Sequence, residues 1–289
     1  MPDIILEDQS LRDGLQLEQK VLALADKQHL FDLLATAGFA HIQAGSFVSP
    51  KYVPQMVESD QLISELIRQY PDLTISGLIL NARGLERALT TGLQHVCLSV
   101  SISNTHSHKN VGKSAHEALV EMIGLIQKAV SAGLTVRAGA QCVFGCVYEG
   151  AISETAVLEA LDQMVSAGAH AVNVADTTGM AHPEQILKLI PQIGQKIGGI
   201  PISLHLHDTY GRGLSNMQAG FDVGIRHFDV SAGGLGGCPF VKGAAGNVAA
   251  ETAVGLFDKM GLTTGIDPAA LKKVVSCFEQ LLGRRLNPI

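Results

Sequence analysis

The sequence predicts a (β/α)8 barrel, and three observations predict it. Eight short runs rich in β-branched residues alternate with amphipathic stretches of helical length. Several of those stretches end in Ala-Gly, where a glycine can turn the chain back toward a strand: Ala37-Gly38, Ala132-Gly133 and Ala167-Gly168. The chain has 289 residues, within the range of one such barrel, about 200 to 400. In order, strands are predicted at 4–8, 41–45, 73–80, 95–101, 134–142, 170–176, 201–207 and 227–233. Helices are predicted near 20–37, 54–69, 83–92, 113–132, 153–167, 183–197, 213–224 and 246–260. Strands buried on both faces and separated by helices are parallel, and closing the sheet removes its two edges. A further helix at 267–282 follows the eighth unit. One catalytic barrel domain over 1–289 is expected, with 261–289 a helical extension.

Composition narrows the partners. Hydrophobic residues make up 46% and charged residues 17% of the chain, so it can bury a large core. It has no Trp, 4% aromatic residues, a formal charge of −6 and no Lys/Arg run, which removes both stacking platforms and a basic grip for nucleic acid. No apolar stretch approaches the ~20 residues of a membrane span, so no membrane partner is expected. Five scattered cysteines suit a reducing compartment, and the N-terminal MPDIILEDQS has no export pattern; the expected location is cytoplasmic.

In a barrel, catalytic groups stand at the C-terminal ends of strands. His205-Leu206-His207 closes the seventh strand, and period-two alternation sends both imidazoles to one side. Such histidines can simply satisfy polar contacts; at a barrel mouth they can also converge on a metal. Ser10-Leu11-Arg12-Asp13-Gly14 ends the first strand. Asp13 can supply an anionic oxygen ligand and Arg12 can hold an enolate oxygen, or the two can form an ordinary ion pair in a turn. After the eighth strand, Gly233-Gly234-Leu235-Gly236-Gly237-Cys238 leads to Gly246-Asn247. That loop is either a tight connection or a cover with Cys238 at its tip, and Asn247 either a helix cap or a further oxygen ligand.

Taken jointly, Leu11 to Gln16, Ser46 to Lys51, Pro54-Gln55-Met56, Asp176 to Gly179, His205 to Gly211, and Gly236 to Pro239 with Gly246-Asn247 resemble the 3-hydroxy-3-methylglutaryl-CoA lyase family, in that family's order and over almost the whole chain. The resemblance implies a divalent metal, Mg2+ or Mn2+, at Asp13, His205, His207 and Asn247. It also implies Arg12 as stabiliser of enolate charge, Cys238 as a loop acid/base, and Asp176 as a catalytic or supporting carboxylate, with His205 or Asp176 accepting the substrate's hydroxyl proton. The substrate is then an acyl-CoA thioester, a 3-hydroxyacyl-CoA cleaved by retro-Claisen chemistry, and Lys51, Lys109 and Asn110 are candidates to meet its coenzyme A. A homodimer or larger homo-oligomer is expected.

Two positions depart from the pattern. Gln43 stands where the family carries Glu, and Asn173 where it carries Ser. Gln43 is expected in the site beside Arg12, leaving it one charge more positive and shifting the preferred acyl group. Two other readings stay open: a Claisen-condensing synthase of the isopropylmalate or homocitrate kind, which usually carries a C-terminal extension, and a silent metal-binding barrel.

Overall fold

The computed structural model describes residues 2–237 and 246–286. Eight parallel strands close into a barrel in chain order: β1 (Ile5–Asp8), β2 (His41–Ser46), β3 (Thr74–Ile79), β4 (His95–Ser101), β5 (Thr135–Gln141), β6 (Ala171–Asp176), β7 (Ile202–Leu206) and β8 (His227–Val230). All eight fall within about three residues of the predicted positions, because strands buried on both faces are apolar runs bounded by sharp punctuation. The β1–β8 pair, Ile5 to His227 through Asp8 to Val230, is the closing seam.

Helices surround the barrel: α1 (Leu24–Thr36), α2 (Ser59–Gln69), α3 (Ala82–Thr91), α4 (Asn104–Val111), α5 (Ala115–Ser131), α6 (Glu154–Ser166), α7 (Pro183–Lys196), α8 (Gly213–Asp222), α9 (Ala250–Lys259) and α10 (Pro268–Leu282). Each turns an apolar stripe inward. On α7 the buried residues are Ile186, Leu189, Ile190 and Ile193, the i, i+3, i+4, i+7 spacing of one helical face. Burying each such side chain fully contributes roughly 1.5–3 kcal/mol. The extra helix α10 lies against α1 and α9. Among the described residues no helix is long and apolar enough to cross a membrane.

Three differences from the predicted elements have physical causes. The helix expected at 54–69 is broken into a 3-10 turn at Pro54–Met56 and α2, since Pro54 opens a turn of its own. Helix α4 was not predicted; it is eight residues of polar sequence, Asn104–Val111, capped by the Ser103 side chain and closed by left-handed Gly112. The helix expected from 246 begins only at Ala250, because Asn247 and Ala249 form bridges to His207 and Ser231 at the ends of β7 and β8.

The interior of the barrel is polar over much of its height. In each odd strand one inward residue pairs with an upper residue on one neighbouring strand and a lower residue on the other. These pairings are Glu7 with Asp229 and His41, Ser76 with Gln43 and His95, Arg137 with Cys97 and Ala171, and Ser203 with Asn173 and His227. This is the alternate-strand layering of a TIM barrel, in which branched aliphatic residues normally dominate. Here the odd-strand layer holds Glu7, Ser76, Arg137 and Ser203 instead. The buried Arg137 guanidinium sits between two carboxylates, donating from Nη2 to Glu7 Oε1 at 2.7 Å and from Nη1 to Asp229 Oδ1 at 3.1 Å. Burial is the largest single influence and would raise both carboxyl pKa values, but Arg137 together with His227 at Glu7, and Arg137 together with His205 at Asp229, outweighs it and holds each below the ordinary range, so both remain ionised.

Candidate active site

The C-terminal mouth is built by three local devices. After β1 the chain makes a π-helical turn, Ser10–Gly14, in which Gly14 N–H donates to the Gln9 carbonyl at 3.0 Å. This wide turn, of a kind common at functional sites, sets Arg12 and Asp13 side by side at the pocket wall. In β2 the pairing with β3 shifts register between Gln43 and Gly45, a bulge of the sort that re-aims a strand's side chains beside a site. Third, the stretch after the glycine-rich loop lies along the end of β7. Asp208 N–H donates to the Gly246 carbonyl at 2.9 Å and Val248 N–H to the Leu206 carbonyl at 3.2 Å. Asn247 is thereby seated against His207. Two glycines permit this: a Cβ on Gly246 would lie 2.4 Å from the Gly236 backbone, and one on Gly236, itself at φ +112°, 2.7 Å from the Asn247 amide.

Four predicted metal ligands meet there. His205 Nε2 and His207 Nε2 are 3.1 Å apart, and His207 Nε2 is 3.6 Å from Asp13 Oδ2. Asn247 Nδ2 donates to Asp13 Oδ2 at 2.8 Å, while Asn247 Oδ1 and His207 Nδ1 are buried without hydrogen-bond partners. This donor set fits a cation. Ligand atoms on adjacent vertices of an octahedral ion with ~2.1 Å bonds lie about 3 Å apart, close to the His205–His207 and Asn247–Asp13 separations. Turning the Asn247 amide over brings its orphaned oxygen to the position its nitrogen holds now, which an ion would favour. Asp13, His205 and His207 each place a ligand atom within 4.8 Å of the others. Burial would raise the Asp13 pKa, but Arg12 and the histidines hold its carboxyl well below the usual range, so it is an anion.

Arg12 is held at three points. Its Nε donates to Gln43 Oε1, Nη1 to Asp13, and Nη2 to Gln9 Oε1 at 2.9 Å. Gln43 therefore lies where the sequence placed it, as an uncharged acceptor fixing the guanidinium. Asn173 donates to Ser203 Oγ at 2.9 Å and to Asp229 Oδ2 at 3.2 Å, inside the polar interior.

Asp176 is fully buried and does not line the pocket, whose wall there is Ala175 and Thr177. Its Oδ2 accepts from Ala181 N–H at 3.1 Å and its Oδ1 has no partner. Burial raises its pKa to about 6 against the opposing pull of His207. Lys51, Lys109 and Asn110 are exposed in the segments after β2 and β4, near the mouth but outside the pocket wall. Lys109 Nζ stands 4.9 Å over the Tyr148 ring. Cys238 lies outside the described residues.

Sequence reading missed Arg137 and Asp229, both in the pocket wall. Asp229 Oδ2 lies 3.0 Å from His205 Nδ1. Because the carboxylate is ionised it must accept, so His205 carries its proton on Nδ1 and presents a bare Nε2 to the ligand point. The signal was available: a charged residue at inward parity in an apolar, doubly buried strand has to be paired inside the barrel.

Asp8 ties the floor of this site together, accepting from Ser10 N–H at 2.9 Å and Oγ at 2.7 Å, while Ser10 Oγ accepts from Ala232 N–H at 2.8 Å. Burial raises its pKa to about 7, more than the Ser10 hydrogen bonds lower it. The folded chain thus binds this proton more tightly than the unfolded chain. The resulting stabilisation is complete below about pH 4 and is lost as pH rises toward 7, at up to ~1.4 kcal/mol per pH unit. Asp8→Asn cannot titrate, so its Tm relative to the wild type is expected to climb between pH 4 and 7 and then level off. A constant difference across that range would show that Asp8 ionises normally.

The fold is that of a TIM-barrel enzyme with a candidate metal-ligand group at its mouth, and comparison with known proteins gives its family. The HMGL-like family model matches residues 3–277, and the chain belongs to that family. It is 37% identical to the (R)-citramalyl-CoA lyase of Chloroflexus aurantiacus over 99% of this chain and 93% of that protein. It is also 37% identical to the 3-hydroxy-3-isohexenylglutaryl-CoA/hydroxymethylglutaryl-CoA lyase of Pseudomonas aeruginosa, over 90% and 86% of the two chains. An HMG-CoA lyase structure from Acinetobacter baumannii, in complex with coenzyme A and 3-methylmalate, superposes with a TM-score of 0.93 at 34% identity, covering 99% of this chain and 93% of that one.

Proposed function

We propose that this chain is a carbon–carbon lyase that cleaves the C2–C3 bond of a 3-hydroxyacyl-CoA, giving acetyl-CoA and a keto acid. The observation that carries the reading is the convergence of Asp13, His205, His207 and Asn247 beside an immobilised Arg12. Those four residues would hold the divalent cation, Mg2+ or Mn2+, which when bound makes the C3 hydroxyl more acidic and grips the neighbouring oxygens. Oxygen and imidazole donors without thiolate suit such an ion.

The chain's own residues supply the rest. The hydroxyl proton leaves as C3 becomes a carbonyl, and the C2–C3 electron pair passes to the thioester as an enolate. Of the two expected acceptors, His205 has Nδ1 committed to Asp229 and Nε2 turned to the ligand point. Asp176 keeps one free carboxylate oxygen and a pKa of about 6, suited to a base at neutral pH but reached by relay from behind the wall. Arg12, fixed by Gln9, Asp13 and Gln43, places positive charge where the enolate oxygen forms. Cys238 is the proposed donor of the proton that completes the methyl group of acetyl-CoA. Lys51, Lys109 and Asn110 are proposed to meet coenzyme A along the mouth.

The acyl group follows from Gln43. A Glu at this position would repel a carboxylate attached directly to C3, whereas the amide does not. The proposed substrate therefore bears its carboxylate on C3, as citramalyl-CoA does, and its keto-acid product is pyruvate. A coupled assay of acetyl-CoA release should show citramalyl-CoA cleaved with the higher kcat/KM, and Gln43→Glu should move the ratio toward 3-hydroxy-3-methylglutaryl-CoA by roughly tenfold or more. Should the wild type cleave 3-hydroxy-3-methylglutaryl-CoA at ~10^4 M−1 s−1 or better, and citramalyl-CoA no faster, the assignment of the acyl group fails while that of the reaction stands.

A further inference from the structure

At the opposite end of the barrel, three ligand-type side chains that the reaction does not use come together. Glu7 of β1, His41 of β2 and His227 of β8 each offer one ligand atom, and these atoms lie within 4.8 Å of one another. The register makes this unavoidable, since Glu7 pairs directly with His41, and Ile5, two residues before Glu7 on the same strand, pairs with His227. His227 Nε2 is 3.0 Å from Glu7 Oε2, and the His41 and His227 rings have centroids 5.5 Å apart at 62°.

The carboxylate is already oriented as a ligand. Glu7 Oε1 accepts from Arg137 Nη2 at 2.7 Å, Ser76 Oγ at 3.1 Å and Gln9 Nε2 at 3.3 Å, leaving Oε2 turned toward the imidazoles. Outer hydrogen bonds of this kind hold a metal ligand in one rotamer. Both histidines are only half-buried, so an ion can enter from solvent. Burial, and after it His227, lowers the His41 pKa, so the ring is neutral and its lone pair available at neutral pH. Donor atoms around a tetrahedral ion with ~2.0–2.1 Å bonds stand roughly 3.3 Å apart, near the present Glu7–His227 separation. A Glu7–His227 hydrogen bond alone would not require the third group.

We propose that Glu7, His41 and His227 form a second metal site, at the N-terminal end of the barrel, that takes a zinc-like transition-metal ion with its fourth position open to solvent. Two imidazoles and one carboxylate, with no second oxygen ligand from the chain, are a zinc donor set and suit Zn2+ or Co2+ better than Mg2+. The mouth site, with its additional amide oxygen, suits the harder ion, so the two ends of the barrel differ in chemistry. The ligands come from β1, β2 and β8, the strands on either side of the closing seam. A bound ion therefore clasps the first strands of the chain to the last one and stabilises the closed barrel.

The test uses the full chain saturated with Mg2+ and titrated with Zn2+ by calorimetry, with Co2+ absorption spectra as a second probe. At least one Zn2+ per chain should bind in the presence of Mg2+, one of them independently of the mouth ligands, and raise Tm by ~5 °C at a hundredfold excess over Kd. His41→Ala and, separately, His227→Gln should weaken this uptake by roughly a hundredfold and remove the Tm gain, whereas His207→Ala should leave both intact. Circular dichroism of each variant separates a lost site from a lost fold, and a tetrahedral Co2+ spectrum in the unsubstituted protein supports the site without any variant. The proposal is overturned if Zn2+ uptake disappears in His207→Ala, if it persists undiminished in both His41→Ala and His227→Gln, or if no Zn2+ binds beside saturating Mg2+.

Discussion

His207→Ala is expected to lose its bound Mg2+ or Mn2+ and to lower kcat/KM by at least about three orders of magnitude, with Tm changed by only a few degrees. The reasoning is geometric. His207 Nε2 lies 3.1 Å from His205 Nε2 and 3.6 Å from Asp13 Oδ2, at the centre of the ligand group, and its Nδ1 has no hydrogen bond. Its buried ring packs on His205 at the barrel mouth rather than in the aliphatic core, and in the proposed site it would hold the cation that polarises the substrate hydroxyl. Its loss also removes the hydrogen bond between the two imidazoles, a modest cost that Tm can register. Elemental analysis of the purified variant decides the matter: full metal content would remove His207 from the site, and an unfolded variant would make it a core residue instead.

How much of this was legible in the sequence depends on which physical rule a residue obeys. The eight strands were legible because doubly buried parallel strands are short apolar runs with turn signals on both sides. His205 and His207 were legible because alternation in a strand is a rigid rule. Asp13 and Arg12 were located at the mouth, but the π-helical turn that sets their spacing was not foreseen, since it has no periodic signature. Helix α4 was missed because its polar sequence is held by the Ser103 cap and Gly112 rather than by an apolar stripe. Asn247 could be read as a cap or as a ligand; the N-cap of α9 is Ala249, so Asn247 does not cap it, and the bridge to His207 seats it beside the candidate ligands. The polar interior was the largest omission. Arg137 and Asp229 are 92 residues apart in sequence, and nothing local announces that register will stack them in adjacent layers. The replacement of Ser by Asn at 173 becomes intelligible in the same way: its amide donates to Asp229 and so belongs to the scaffold behind His205.

That scaffold makes Asp229 the residue whose loss should be felt farthest from where it acts. Asp229→Asn preserves shape and removes one acceptor face. In the native arrangement Oδ1 receives Arg137, and Oδ2 receives both Asn173 and His205 Nδ1. An asparagine can offer its oxygen to only one side. If the oxygen stays with Arg137, whose buried charge demands it, an NH2 group faces His205 Nδ1, and the imidazole relieves the clash by moving its proton to Nε2. The nitrogen meant for the metal is then blocked. The expected result is a 10–100-fold weaker affinity for Mn2+, measured by titration, with kcat/KM at limiting metal falling in proportion and recovering partly as metal is raised. Simple structural damage would lower Tm and activity together and leave the metal dependence unchanged. An unaltered Mn2+ Kd in a folded Asp229→Asn protein would show that His205 keeps its tautomer without help from the barrel interior.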